Sequence, residues 1–253
     1  MVREVAGVAY AAVAVFFAVV SALALGRRAH NPTVAVSLAV AMLALSASSF
    51  ADAVAIVATD ETVAAVASLA ILPGVGVAMG ALVCLGRGVA RPQWQPGPSL
   101  LALLLVEPVL VTAAAATNPL HLWLYDGDGA AQMTGSAGWG YGPAFVVHSV
   151  YCYAMVLGAL GFLIYGWTRA PSLFRRQRLV LVVAAVIGSA ANVAYLFRGL
   201  GDSVDPTPFG FAVACGFLAY ALFRRDLLTL SPVARGLIVD QIGDAIVVLS
   251  PTG

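Results

Sequence analysis

Six polar or ionisable residues lie within or beside long apolar runs of this chain: Asp52, Glu107, His121, His148, Tyr151 and Asn192. A charged side chain at the centre of a membrane helix costs ~2.5–3.5 kcal/mol on insertion scales, so such groups usually face a bundle interior or water. Carboxylates and imidazoles can trade a proton, hold a cation or hydrogen-bond a small ligand. Two readings of the grouping stay open. One is an outward-opening polar pocket for a small molecule, ion or proton; the other is hydrogen bonding between helices that serves packing alone. Because Glu107 precedes Pro108, its carboxyl could instead bond backbone groups freed by a proline bend. His121, His148 and a carboxylate are of the right type for a transition metal, but they lack the close spacing of a metal motif. No metal and no other cofactor is assigned. Asp126-Gly127-Asp128-Gly129 lacks the later ligands of a calcium loop and reads as turns.

The elements that must position these residues are seven apolar spans, expected at Val5–Leu25, Thr33–Ala58, Val63–Leu85, Leu100–Ala116, Pro143–Gly166, Leu179–Phe197 and Thr207–Phe223. Each is about 17–26 residues long, enough to cross a hydrocarbon core of ~30 Å. Ten of the 13 basic residues flank the spans on one side. They are Arg27 and Arg28, Arg87 and Arg91, then Arg169, Arg175, Arg176 and Arg178, and finally Arg224 and Arg225. The positive-inside bias places those connections and the C-terminus in the cytoplasm and the N-terminus outside. On this topology Asp52, Glu107, His148, Tyr151 and Asn192 fall at mid-depth or in the outer half. His121 falls just beyond the outer end of the fourth span, and the inner half is nearly featureless. The expected fold class is an all-α membrane protein, a seven-transmembrane helix bundle.

With 61% hydrophobic and 10% charged residues, an ordinary soluble domain is excluded. The acids cluster opposite the arginines, and nothing suggests nucleic-acid binding. Val5–Leu25 is longer than a signal-peptide core and is flanked by charge on the wrong side, so it reads as a retained helix. Cys84, Cys152 and Cys215 fall inside spans without C-x-x-C spacing and read as small buried apolar residues. All 13 basic residues are arginine, so the lysine needed for a retinal Schiff base is missing.

Thr59 or Asp60 is placed to cap the third helix, which Pro73 should bend. Gly76-x-x-x-Gly80, and the run of Gly210, Ala212 and Gly216, are the narrow faces that let membrane helices approach closely. The fourth loop carries Trp123, Tyr125, Trp139 and Tyr141, aromatics suited to the membrane–water boundary. After Arg225, Ser231-Pro232 starts a short amphipathic helix over Pro232–Ile242. Ala245–Leu249 reads as a strand and Ser250–Gly253 as a turn. That strand has no returning partner, so it is expected either to open a domain cut short or to pair elsewhere.

Several ordered motifs carry a resemblance. They are Pro108 with Thr117-Asn118-Pro119-Leu120-His121, then Tyr141-Gly142-Pro143-Ala144-Phe145-Val146-Val147-His148 with Tyr151 and Tyr153. Phe174-Arg175-Arg176-Gln177-Arg178 leads on to Asn192. Asp205-Pro206-Thr207-Pro208-Phe209-Gly210 and Tyr220-Ala221-Leu222-Phe223-Arg224 close the series. In these the chain resembles the N-terminal seven-transmembrane sensor region of prokaryotic histidine kinases. The run from Val239 to Gly253 looks like the opening of a PAS domain. The resemblance implies a sensor domain over residues 1–230, followed by a signalling helix and the start of a truncated PAS-like domain over 231–253. Phosphoacceptor and ATP-lid motifs are missing from the sequence, so the chain is expected to be the input half and no enzyme.

The expected function is therefore the membrane signal-sensing module of a two-component system. Its partners are the lipid bilayer, a small-molecule, ion or proton signal, and a cytoplasmic kinase output domain in cis or in trans. The resemblance also implies a homodimer. A transporter or channel is the alternative, although the Pro-Gly break in the third helix has no counterpart in the seventh. Asp52 and Glu107 are too isolated to form the acid–base pair of an intramembrane enzyme.

Overall fold

A computed structural model describes residues 2–29, 31–126, 140–170, 172–198 and 205–224. Among these are seven helices: α1 (Val2–Gly26), α2 (Pro32–Val57), α3 (Glu61–Ala90), α4 (Pro98–His121), α5 (Pro143–Thr168), α6 (Ser172–Arg198) and α7 (Thr207–Arg224). The first five are long and apolar enough to cross a membrane. The continuously apolar parts of the last two are shorter, Arg178–Val193 and Thr207–Ala219. The chain is thus a helical membrane bundle. The expected helix Pro232–Ile242, the strand Ala245–Leu249, Trp139 and His30 lie outside the described residues.

Several helices outrun the apolar spans expected from sequence. Hydropathy marks the part that crosses hydrocarbon, whereas helical hydrogen bonding continues into the polar boundary layer. Arg87 therefore lies in the last turn of α3 rather than in a loop. Arg175, Arg176 and Arg178 ride on the start of α6. His121 is the last residue of α4 and not a residue beyond it.

Local chemistry sets the helix starts. Asn31 caps α2 by accepting from the Val34 N–H at 3.2 Å, with Pro32 at the first position. Asp60, the acid of the two expected caps, accepts from the N–H groups of Thr62 and Val63 at 2.8 and 3.0 Å. Gly97-Pro98 and Gly142-Pro143 open α4 and α5 in the same proline-first manner. Leu122, with φ of 54°, turns the chain out of α4 through a left-handed cap whose N–H returns to the Asn118 carbonyl.

Six helices close a ring in the order α1, α2, α3, α5, α6, α7 and back to α1. Helix α4 stands outside it, packed along the seam of α3 and α5. Small residues set the spacing. A Cβ on Gly74 would come within 2.9 Å of the Ala44 carbonyl of α2, and one on Gly86 within 2.8 Å of the Ala159 carbonyl of α5. In α7 the expected narrow face is only half used. Gly210 abuts Ala191 of α6, whereas Gly216 faces open space. The ring is filled by apolar side chains, with Phe17, Leu38, Met79 and Leu181 fully buried. A smaller apolar cap joins Leu72, Val111, Ala115 and Leu124 near the arginine-poor end. There the two-residue strands β1 (Tyr125–Asp126) and β2 (Gly140–Tyr141) pair antiparallel, with Tyr125 opposite Tyr141.

Candidate functional site

The second turn of α5 places His148 at the seam where α4 crosses α3. Its ring is buried, 4% exposed, and Nδ1 lies 2.6 Å from Oε1 of Glu107 on α4. That distance is short for a nitrogen–oxygen hydrogen bond. Nε2, on the far side of the ring, is 3.5 Å from the Cys152 thiol one turn further along α5. The second carboxylate oxygen of Glu107, Oε2, is buried and has no hydrogen-bond partner. It points at Gly76 of α3, where a Cβ would sit only 2.7 Å away, and 3.7 Å from His148 Cε1.

Gly76 and Gly80, expected to serve packing, therefore make room for polar groups. Gly80, one turn along, faces the Tyr151 hydroxyl at 3.4 Å from its missing Cβ. Tyr151 donates to the Leu104 carbonyl at 2.9 Å. In an unbroken helix that carbonyl would accept from the N–H four residues on, but residue 108 is proline and has none. The backbone group freed by Pro108 is thus taken up by Tyr151. The sequence had offered Glu107 for that role; its carboxyl is turned to His148 instead.

A second string of hydrogen bonds joins α5 to α7 through α6. Tyr153 donates to Asn192 Oδ1 at 2.7 Å, and Asn192 Nδ2 donates to Thr207 Oγ1 at 3.3 Å. The Thr207 N–H donates to Asp205 Oδ1 at 2.7 Å, which fixes the start of α7. The Tyr10 hydroxyl of α1 donates to the Asp205 carbonyl at 2.8 Å, and its ring stacks on Phe209 at 5.3 Å. Burial pushes the Asp205 carboxyl above the usual aspartate range, against the opposing pull of its Thr207 hydrogen bonds. Burial, then the charge of Asp205, holds the Tyr141 phenol up at about 12. Tyr125 is pushed up by burial and then by Tyr141, Asp52 and Asp205, so both carboxyls reach this aromatic end of the bundle.

The six expected residues are thus distributed. Glu107, His148 and Tyr151 come together at the α3–α4–α5 seam. Asn192 belongs to the neighbouring string through α6. Asp52 is partly buried in the last turns of α2, on the side of Asp205 and Tyr125. His121 does not join them. It accepts from the Trp123 N–H at 3.0 Å, meets the Thr117 hydroxyl at 2.9 Å and packs on the Trp123 ring, a helix-ending role. Sequence reasoning passed over Tyr10 and Thr207 as site residues. Thr207 was signalled by its place after Asp205-Pro206; Tyr10 sits in an unbroken apolar run with no such mark. Among the described residues no three His, Cys, Asp or Glu side chains converge as metal ligands. The two nitrogens of His148 face opposite partners.

A ring of apolar helices with a buried acid–histidine contact at its edge defines a polytopic membrane bundle. Residues 9–232 match the family described as the N-terminal 7TM region of histidine kinase, and the chain belongs to that family. No curated protein and no solved structure matches the chain.

Proposed function

We propose that this chain is the input module of a two-component system. A signal acting on the Glu107–His148 pair would be passed to a cytoplasmic kinase domain in cis or in trans. The observation that carries this reading is the Glu107 carboxylate, with one oxygen on His148 and the other buried and unsatisfied against Gly76. A buried polar group left without a partner costs on the order of 1–3 kcal/mol. A small polar molecule, a cation or a proton that satisfies Oε2 favours the state in which it binds, and that difference is what shifts a two-state bundle.

The route to the output follows the hydrogen bonds. Movement of α5 against α3 and α4 pulls on Tyr153, whose phenol holds Asn192, which holds Thr207 at the start of α7. Helix α7 then carries the displacement to its arginine-bearing end and to the segment after residue 230, read as a signalling helix leading to a PAS-like domain. The transporter reading draws less support, because Phe17, Leu38, Met79 and Leu181 fill the ring interior.

The test fuses the chain to an intact kinase and measures signal-dependent phosphorylation for wild type, His148→Ala and Glu107→Ala. Loss or locking of the response in both is expected. Wild-type responses in both would remove the site, and substrate flux in proteoliposomes would restore the transporter.

A further inference from the structure

A different feature lies at the opposite, arginine-rich end. Arg87, in the last turn of α3, is held between two aromatic faces. Its Cζ is 4.9 Å from the centroid of Trp94 and 5.4 Å from that of Phe162 on α5. Trp94 is itself fixed, its N–H donating to the Arg91 carbonyl at 2.9 Å and its carbonyl accepting from the Thr33 hydroxyl at 3.0 Å. The guanidinium Nε of Arg87 is buried and has no hydrogen-bond partner. One turn along α5 from Phe162, the Gly166 carbonyl accepts from Nη1 of Arg178 on α6 at 2.5 Å. Residues four apart share a helix face, so Phe162 and Gly166 bring both guanidinium groups to one side of α5. Gly166 makes this possible, since a Cβ there would lie 3.2 Å from Ala90 Cα and 3.5 Å from Arg178 Nη1.

Two arginines thus lie against neighbouring turns of α5 with donors to spare, and the Arg87 Nε–H is desolvated with nothing to accept it. A guanidinium presents a planar fork of donors that matches phosphate or carboxylate oxygens in pairs. Among the described residues neither guanidinium is paired with a carboxylate. The three connections at this end, residues 26–32, 86–99 and 166–179, contain eight arginines and no aspartate or glutamate. At the boundary of a bilayer the abundant anion is lipid phosphate. An all-arginine surface also disfavours the ammonium of a zwitterionic headgroup.

We propose that Arg87 and Arg178, with Trp94 and Phe162 as walls, form a binding site for the phosphate of an anionic phospholipid headgroup. The bound phosphate accepts from the Arg87 fork and from the free donors of Arg178, and it ties the ends of α3, α5 and α6 together.

The test purifies the full chain from nanodiscs of phosphatidylcholine containing a minor fraction of phosphatidylglycerol, then counts retained lipids by native mass spectrometry. Wild type is expected to retain phosphatidylglycerol in preference. Arg87→Gln and Arg178→Gln should each lower that preference about tenfold, the weight of one lost hydrogen bond between charged groups, whereas Arg28→Gln, on an exposed turn, should lower it much less. Equal retention of the two lipids by wild type overturns the proposal, as does an equal loss in Arg28→Gln, which would make the attraction a diffuse property of the whole face. Inorganic phosphate that occupies the site and displaces phosphatidylglycerol at low millimolar concentration also overturns it in favour of a soluble ligand. Should Arg87→Gln fail to fold, titration of wild type with short-chain phosphatidylglycerol against phosphatidylcholine decides, with equal uptake again fatal.

Discussion

The Tyr151 hydroxyl on α5 donates to the Leu104 carbonyl on α4, the acceptor that Pro108 leaves without its helical N–H. The proline and the tyrosine are therefore a matched pair on two helices. Tyr151→Phe should cost about 1 kcal/mol, since the freed carbonyl then lacks a partner. Pro108→Ala restores a helical N–H for Leu104. In that background the Tyr151→Phe cost should largely disappear, and a double-mutant cycle in thermal unfolding measures the coupling.

Gly76→Ala puts a methyl group 2.7 Å from Glu107 Oε2 and 3.3 Å from Pro108 Cγ. The carboxylate has to move, and overpacking of this kind costs about 1–3 kcal/mol. The expected outcome is a folded bundle in which the Glu107–His148 contact is stretched and the fused kinase is held in one output state. Phosphorylation with and without stimulus checks this. An undiminished response would show that the room at Gly76 has no signalling role.

Asn192→Leu removes both halves of the Tyr153–Asn192–Thr207 link while keeping the branching and heavy-atom count of the side chain. Retained stimulus binding with a weakened output is expected, because the variant severs transmission and leaves the α3–α4–α5 seam intact. Comparing ligand-induced tryptophan fluorescence with kinase activity separates the two. Equal losses in both would place Asn192 in the binding step.

Asp205 provides a pH signature. Its folded-state carboxyl is raised by burial, so its protonated form is favoured on folding. The resulting contribution to stability is fully present below the unfolded value of about 3.9 and is lost as pH rises through the folded value. Wild type should thus lose stability relative to Asp205→Asn on going from acid to neutral pH. Melting temperatures of the two chains across that window check the sign, and parallel curves would exclude it.

The helices were legible in the sequence because apolar length and flanking arginine are direct consequences of the bilayer. The cap at Asp60 and the proline-first starts of α2, α4 and α5 follow from local backbone chemistry and were equally readable. Which helices touch is a different matter. Nothing in the order of spans says that α4 stands outside the ring, and so Gly76 and Gly80 read as packing residues when they face Glu107 and Tyr151. His121 and His148 looked equivalent as imidazoles near one membrane face. What separates them is a left-handed turn at Leu122 that folds the first onto Trp123, and a helix face that buries the second. Tyr10 carried no mark because its partner is a backbone carbonyl almost the whole chain away.

The exclusion of α4 from the ring has a consequence for how a stimulus arrives. Its outer surface, including Leu103, Leu105, Val109 and Leu110, is bare to the surroundings. Among the described residues, α4 itself separates these exposed side chains from the Glu107 carboxyl at the α3–α4–α5 seam. A signal that acts on the proposed Glu107 site would then have a short sideways approach from among the acyl chains. Partitioning into the membrane would then set the effective dose that the protein experiences.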